Sequence, residues 1–318
     1  GGAHRVTTPI LTATAATGIT LNTTVGSVTG DVTGTGALTL VEDDAITLTL
    51  LTTNDGLISI NAAGTITATL VDSSNTGGGA NDITLVTTNG SVELGAVNAG
   101  TNDAVVTATD AISDVLAGET ANLVANIATL SAATGIGHAD DLDVAVSSLD
   151  AQNNGATGDI EITQLSAGGL LTITRLIQNS AAGTGSISVV TEDNPVTVNT
   201  TGVAAMGSGD VTLISGGAGQ NVDIYADISS TSGGIEITAS GAIDQDADIS
   251  SNEGFVDVTA QGGSIAMLVT RSTTSTSGNI RYQASVNITT QTITSTAGGN
   301  ITVIAADTVN QQSNLSTV

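Results

Sequence analysis

Residues 234–258 read GIEITASGAIDQDADISSNEGFVDV, and this stretch predicts the fold class of the whole chain. Apolar and polar residues alternate in three short segments, which lie at residues 235–239, 241–244 and 247–250. A turn at Asn252-Glu-Gly254 follows, and the alternation then starts again. Strict alternation predicts a β-strand with one buried face. Three such strands followed by a turn predict one coil of a parallel β-helix.

The same unit, a turn with Gly, Asn or Asp followed by alternating residues, returns along most of the chain. The first apolar residues of successive units include Ile187, Val211, Ile235, Val256, Ile280 and Ile301. These residues follow one another at a nearly constant spacing. The spacing matches the period of about 20–25 residues that is typical of solenoids. We therefore predict an all-β fold, a right-handed parallel β-helix of roughly 14 coils that forms one continuous rod over residues 1–318.

Residues 113–149 fit the repeat least well, because several of their apolar residues also lie at helical spacing. The Gly135-Ile-Gly137 turn would interrupt a long helix. Leu123, Leu142 and Ile160 follow one another at intervals close to the coil period. We predict strands in this region, with a short helix as the alternative.

The composition fits a solenoid with an aliphatic core. The 318 residues include 39 Gly but no Cys and no Trp, and the only aromatic residues are Phe255, Tyr225 and Tyr282. The core is therefore expected to consist of Val, Ile, Leu, Ala and Thr. The net charge of −26 repels phosphate backbones and anionic lipid headgroups, which excludes a nucleic-acid partner. No apolar run approaches the ~18–20 residues that span a bilayer, so we expect no membrane insertion.

The repeated Gly-x-Ile-x-Ile/Val units also resemble those of a known class of proteins. Units such as Gly158-Asp-Ile-Glu-Ile162 and Gly299-Asn-Ile-Thr-Val303, with Thr, Ala and Ser between them, resemble the repeats of filamentous-haemagglutinin-like exoproteins and other large repetitive adhesins. The resemblance is one of period and composition and covers most of the chain. It implies a β-helix, an extracellular or cell-surface location and a prokaryotic source. The secretion domain that opens such exoproteins is not recognisable here.

The sharpest candidate site is the acidic stretch Asp244-Gln-Asp246-Ala-Asp248. Residues at i, i+2 and i+4 of a strand share one face, so the three carboxylates would project together and could bind Ca²⁺. The spacing starts like an EF-hand loop, but Ile249 stands where that loop requires glycine and Phe255 where it requires glutamate. This stretch therefore indicates Ca²⁺ as a cofactor, and the alternative interpretation is a solvated acidic face.

The sequence does not favour an enzyme. Many carbohydrate-cleaving enzymes use a parallel β-helix, and those resembling pectate lyases need a basic residue near calcium-binding carboxylates. Glycosidases need convergent carboxylates in a cleft, which aromatic residues commonly line. The chain has four Arg, no Lys and three aromatic residues in all. Its two histidines, His4 and His138, are far apart in the sequence, which argues against a metal pair or a Ser-His-Asp triad. We predict no catalytic residues.

Both ends of the chain read as strand material without a polar cap, although natural solenoids usually cap their ends to prevent edge-to-edge growth. We expect the protein to associate with itself head to tail, as the subunit of a surface filament. The residues expected at this joint are Ile10, Leu11, Ile301 and Val303. Donation of the N-terminal strand into a neighbouring subunit is an alternative joint.

Two other functions fit the same fold. One is an adhesin passenger, a segment of a larger exoprotein that binds a glycan or a host surface. The longest turn-like insertions, Asp72–Asn81 and Asn179–Gly185, carry mostly Gly, Ser, Asn and Thr, which favours a passive structural role. The other is an ice-binding solenoid, suggested by threonine pairs such as Thr47 and Thr49, or Thr292 and Thr294. Threonine is also an ordinary outward-facing strand residue.

Overall fold

The protein folds as an all-β parallel β-solenoid of about 14 turns, as the sequence predicted. The computed structural model describes residues 4–74, 81–116, 118–137 and 140–317. In these ranges the only helical element is the 3₁₀ turn Ser166–Gly168. His138 and most of the predicted insertion Asp72–Asn81 lie outside the described residues.

The chain divides into two compact units, residues 1–147 and 148–318. The prediction of one continuous rod stays a prediction. The first unit contains β1 (Val6–Ala15), β2 (Ile19–Thr35), β3 (Leu38–Glu42), β4 (Ile46–Asp55), β5 (Ile58–Ala62), β6 (Ile66–Asp72), β7 (Ile83–Thr87), β8 (Val92–Asn98), β9 (Ala104–Thr107), β10 (Ile112–Asp114) and β11 (Leu123–Ala132). The division falls within β12 (Leu142–Asn153).

In the first unit, β3, β5, β7 and β9 form one stack of strands, and β4, β6 and β8 form another. The pairs are parallel and in register, so each inward residue lies over its equivalent in the next coil. One such interior column contains Ile19, Leu38, Ile58, Ile83 and Ala104. All five side chains are buried. Stacking of this kind buries aliphatic side chains against each other, which drives solenoid formation.

The second unit builds its later coils from three short strands each. Its strands are β13 (Ile160–Gln164), β14 (Leu171–Gln178), β15 (Ile187–Thr191), β16 (Val196–Ala205), β17 (Val211–Ser215), β18 (Val222–Ile224), β19 (Ile228–Ser230), β20 (Ile235–Ala239), β21 (Ile243–Gln245), β22 (Ile249–Ser251), β23 (Val256–Ala260), β24 (Ile265–Met267), β25 (Ser272–Ser275), β26 (Ile280–Ala284), β27 (Asn287–Thr290), β28 (Thr292–Ser295), β29 (Ile301–Ala305), β30 (Thr308–Gln311) and β31 (Leu315–Thr317).

The register of the second unit is the one that the sequence period predicted. The marker residues Ile187, Val211, Ile235, Val256, Ile280 and Ile301 each pair with the next in the series. The ambiguous region 113–149 forms strands in its described part, β10, β11 and β12, and not the alternative helix. Gly135 and Gly137 both have positive φ, at 120° and 74°, which most residues avoid and which supports the turn assigned to them.

One corner of the second unit is closed by a column of glycines, one per coil. Its members are Gly185, Gly209, Gly233, Gly254, Gly278 and Gly299. A Cβ atom on any member from Gly209 onward would overlap the carbonyl oxygen of the glycine one coil before it. The backbones of adjacent coils therefore approach each other at this corner more closely than any other residue type allows.

Serine side chains complete the same corner at Gly233, Gly254 and Gly278, and each of these serines lies three residues before its glycine. The Ser251 hydroxyl donates a hydrogen bond of 2.9 Å to the carbonyl of Gly233 and accepts one of 2.8 Å from the N–H of Gly254. Ser230 and Ser275 make the equivalent pairs of bonds, and Ser295 donates to Gly278. The repeated Ser-x-x-Gly motif thus satisfies backbone groups that would otherwise be buried without partners.

The interior of the second unit contains one aromatic side chain, so the expectation of a core without rings is wrong at this position. Tyr282 on β26 is fully buried, and its hydroxyl donates a hydrogen bond of 2.6 Å to Oε1 of Gln245. The Thr273 hydroxyl lies 2.5 Å from the Tyr282 hydroxyl. Burial raises the pKa of Tyr282 far above its usual value. The phenol is therefore a neutral member of a buried polar group.

Candidate functional site

The first strand forms an edge of the first unit. Among the described residues, β1 pairs with β2 alone. Leu11 faces the interior, stacks on Val28 and is half-buried, because no strand of the described ranges covers its other side. Ile10 follows Pro9 within β1, and 71% of its surface is exposed. Of the two residues predicted for this end, Leu11 thus belongs to the interior column and Ile10 to the outside.

The last coil forms an edge of the second unit. Within the described part of the chain, β29, β30 and β31 pair only with β26, β27 and β28. Ile301 stacks on Ile280 and Val303 on Tyr282, and both are half-buried. The two residues predicted for this end therefore continue the interior columns up to an open edge. Such an edge presents backbone N–H and C=O groups that can pair with another strand.

The three carboxylates of the acidic stretch do not share one strand face. Strand β21 ends at Gln245, so Asp246 and Asp248 lie beyond the strand. Asp248 instead connects coils: its carboxylate accepts a hydrogen bond of 2.7 Å from the N–H of Ser272, and its own N–H donates to Asp227 at 3.0 Å. In the described ranges no three His, Asp or Glu side chains are grouped to hold a metal ion. Calcium at Asp244, Asp246 and Asp248 stays a prediction.

Asp244 and Asp246 belong to a cluster of negative charge that the sequence did not reveal. Asp244 pairs in register with Asp223 of β18, one coil earlier. Burial, followed by the charges of Asp244 and Asp246, raises the pKa of Asp223. The same carboxylates, Asp223 foremost, raise the pKa of the Tyr225 phenol, although Tyr225 is 52% exposed. Three carboxylates and one phenol therefore lie on neighbouring coils at this place.

Asp244 and Asp246 also line an open groove of about 410 Å³ on the second unit. We call it the acidic groove, and its lining consists of Asp244, Asp246, Ala266, Met267, Leu268, Val269, Gln291 and Gln312. Leu268 and Val269 lie in a turn closed by a hydrogen bond of 3.1 Å from the N–H of Arg271 to the carbonyl of Leu268. The groove thus combines carboxylates with exposed aliphatic side chains.

The threonine pairs do not extend into a long regular array. Thr47 lies in register with Thr67, but the next residue of that column is Glu93, which accepts a hydrogen bond of 2.7 Å from Thr67. Thr292 and Thr294 lie in register with Ser272 and Thr274. Repeated threonines on a flat face are therefore limited to a few neighbouring coils.

The raised pKa of Asp223 predicts how stability depends on pH. A carboxyl whose pKa is higher in the folded than in the unfolded state destabilises the fold as it loses its proton. This penalty is absent below the unfolded pKa, about 4, and grows as the pH rises through the folded pKa. Asp223→Asn is therefore expected to raise the unfolding midpoint at pH 7 and to leave it nearly unchanged at pH 3.5.

Thermal melts followed by circular dichroism between pH 3.5 and pH 7 test this expectation. Glu253→Gln, at an exposed turn, removes one charge elsewhere and serves as the control. Burial also raises the pKa of Glu42, whose carboxylate accepts hydrogen bonds from the N–H groups of Val25 and Asp43. Asp223→Asn should therefore reduce, and not abolish, the loss of stability with rising pH. An equal gain from Glu253→Gln would mean that net charge is responsible.

Comparison with known proteins found no match for this chain. No protein-family model matches this sequence, and no curated protein and no solved structure matches it either. In the part of the chain that the structure describes, no helix has the length and apolar character needed to cross a membrane.

Proposed function

We propose that this chain is an extracellular structural protein, a subunit that joins further copies head to tail through its open solenoid edges to form a surface filament. The observation that carries the proposal is the pair of edges at β1 and β29–β31. Each continues the interior columns of its unit, and each has half-buried apolar side chains that face no further strand among the described residues.

The chemistry of both edges favours strand addition. Natural sheets protect open edges with charged residues, bulges or prolines. Neither β1 nor β29, β30 and β31 contains a charged residue, although the chain has 34 charged residues in all, 30 acidic and 4 basic. Pro9 in β1 removes one backbone donor only. A further coil could therefore pair along these strands without burying a charge.

The side chains at the two edges are also suited to contact each other. The last coil presents Ile301, Val303 and Leu315, whereas the first strand presents Leu11, Ala13 and Ala15, all half-buried. Covering them would remove apolar surface from water at about 25 cal/mol per Å². Because the two edges differ, their contact is heterologous, and a heterologous contact that does not close into a ring grows into a filament.

The location proposed for this filament is the cell surface. Its support is the resemblance of the Gly-x-Ile-x-Ile/Val units to those of repetitive bacterial exoproteins. An adhesin passenger is the second candidate, because the same edges could pair with further coils of one longer polypeptide. The two candidates differ in whether separate copies of this chain associate.

Electron microscopy and sedimentation velocity of the purified chain test the proposal. We expect filaments in the micrographs and a sedimentation coefficient that rises with protein concentration. Ile301→Glu should abolish this association, because the carboxylate is half solvated at a free edge but buried without a partner in a joint. Thr302→Glu, whose side chain points outward on the same strand, is the matched control and should associate like the parent chain.

Circular dichroism and thermal melting establish first that both variants are folded. A second pair at the other edge, Leu11→Glu and the outward-facing control Thr12→Glu, should behave in the same way. A parent chain that remains a single particle at every concentration contradicts the filament and favours the passenger segment. Association that survives both Ile301→Glu and Leu11→Glu would place the joint elsewhere on the molecule.

A further inference from the structure

We propose that the acidic groove binds a short basic segment of another protein, with the aliphatic part of a Lys or Arg side chain on Leu268 and Val269 and its charged end on Asp244 and Asp246. This inference does not depend on the proposed filament, because these four residues belong to coils before the last one. It assigns a binding role to the acidic stretch different from the predicted calcium site.

The apolar side of the groove is exposed to solvent. Leu268 is 45% exposed and Val269 60% exposed. In the preceding coil, the corresponding stretch between β21 and β22 is Asp246-Ala-Asp248. Leu and Val at an exposed turn lose little water contact on folding and so contribute little to stability. They are therefore available to contact the aliphatic part of a ligand that enters the groove.

The carboxylates in the groove favour a partner of positive charge. Asp244 and Asp246 line the groove, and Asp223 lies beside Asp244 on the preceding coil. Their combined field attracts a cation, and a cation in contact with them relieves the mutual repulsion of the carboxylates. Lys and Arg combine a long aliphatic stem with a charged end, which matches a surface that is apolar on one side and acidic on the other.

Two glutamine side chains, those of Gln291 and Gln312, also line the groove. The side-chain amide of Gln291 donates a hydrogen bond of 2.9 Å to Oε1 of Gln312, and the Gln291 oxygen accepts one of 3.2 Å from the Ser313 hydroxyl. The Gln291 side chain and the Gln312 oxygen thus pair with groups of their own chain. The charged end of a basic side chain is therefore recognised by Asp244 and Asp246.

The basic partner has to come from a different protein. This chain has no Lys and four Arg. Three of the four are engaged in ion pairs, which are Arg5 with Asp43, Arg175 with Asp150, and Arg281 with Asp257. A second copy of this chain offers few basic residues, 4 against 30 acidic ones, and so does not match the acidic groove. Charge complementarity therefore indicates a basic partner.

A titration with a defined peptide tests the proposal. The probe is acetyl-Lys-Leu-Lys-Leu-Lys-amide, with the corresponding Glu-Leu peptide as the negative control, and binding to the intact chain is followed by isothermal titration calorimetry. We expect the basic peptide to bind and the acidic peptide not to bind. Asp244→Asn combined with Asp246→Asn should weaken binding by about tenfold or more, as for charges in direct contact.

Two matched controls separate a specific groove from general attraction to an acidic protein. Glu119→Gln combined with Glu253→Gln removes the same charge at exposed positions elsewhere and should change the affinity by less than about twofold. Leu268→Ser combined with Val269→Ser should weaken binding about fivefold or more. Val41→Ser, at a similarly exposed residue of the first unit, should have no effect.

Three outcomes would overturn the inference. The first is the absence of binding by the basic peptide. The second is an equal loss of affinity in the Glu119/Glu253 variant, which would mean non-specific attraction. The third is binding of Ca²⁺ alone that depends on Asp244 and Asp246 and is not displaced by the peptide, which would assign the carboxylates to a metal. Running the titration on Ile301→Glu as well keeps the result separate from filament formation.

Discussion

Replacing Gly254 by Ala is expected to destabilise the protein far more than the same replacement at Gly298. The Cβ added at position 254 would overlap the carbonyl oxygen of Gly233, which belongs to the backbone of the preceding coil. Because Ser251 and the neighbouring strand pairs hold that backbone in place, the coils must separate locally. We expect the free energy of unfolding to fall by about 3 kcal/mol or more, the upper range for overpacked sites.

Gly298 provides the matched control. It has a positive φ of 95°, but an added Cβ would meet no atom within 4 Å. Gly298→Ala therefore costs only the backbone preference, about 1–2 kcal/mol. Chemical denaturation followed by circular dichroism measures both variants, and hydrogen exchange shows where the amides of Gly254→Ala lose protection. If both variants lost the same free energy of unfolding, the close approach of adjacent backbones at the glycine column would not be needed for stability.

Tyr282→Ala is expected to have the second large effect. Tyr282 is fully buried and stacks between Val258 and Val303. Both neighbours are smaller than the ring and are held by their own strands, so they cannot fill the space it leaves. The loss of a large buried aromatic side chain costs about 3–5 kcal/mol, because a cavity adds to the lost burial.

Tyr282→Phe distinguishes the contribution of the aromatic ring from that of its hydroxyl group. This variant keeps the packing but leaves Oε1 of Gln245 without the donor that it has in the parent chain. A buried acceptor without its partner costs about 1–3 kcal/mol. We therefore expect the free energy of unfolding of Tyr282→Phe, measured by chemical denaturation, to lie between those of the parent chain and the Ala variant. A Phe variant as unstable as the Ala variant would show that the polar group, and not the ring, dominates.

The Tyr282 experiment also bears on the last coil. Val303 of β29 covers Tyr282. A substitution that weakens the packing of Tyr282 therefore also loosens β29, the strand that forms one of the proposed joints. Filament formation by Tyr282→Phe should persist if the strand remains in place. Hydrogen exchange at β29 distinguishes a frayed edge from a change in the joint itself.

Sequence patterns were sufficient to predict the fold class, the strand register of the second unit and the strands between residues 113 and 149. These features depend on two local patterns, the alternation of apolar and polar residues and the regular spacing of the marker residues. Each pattern recurs in every coil, and each copy constrains the next through parallel pairing. The period therefore predicts that Ile235 pairs with Val256, which the structure confirms.

The buried polar groups were not predicted, although their sequence signal exists. Serine stands three residues before three of the column glycines, at Ser230, Ser251 and Ser275. Serine is so common between the strands of this chain that the motif does not stand out from its composition. Whether such a serine faces the interior depends on the corner of the coil, and corners are set by packing between coils.

The acidic groove, in contrast, follows from the stacking of coils and could not be predicted. Asp244, Asp246 and Asp248 look equivalent in the sequence, but the strand ends at Gln245, and the carboxylate of Asp248 binds Ser272 of the next coil. Asp223, Asp244 and Leu268 come from three different coils and are therefore distant from one another in sequence. The physical reason is that alternation specifies which residues face inward, whereas the neighbours of an outward-facing residue depend on the length of every turn between coils.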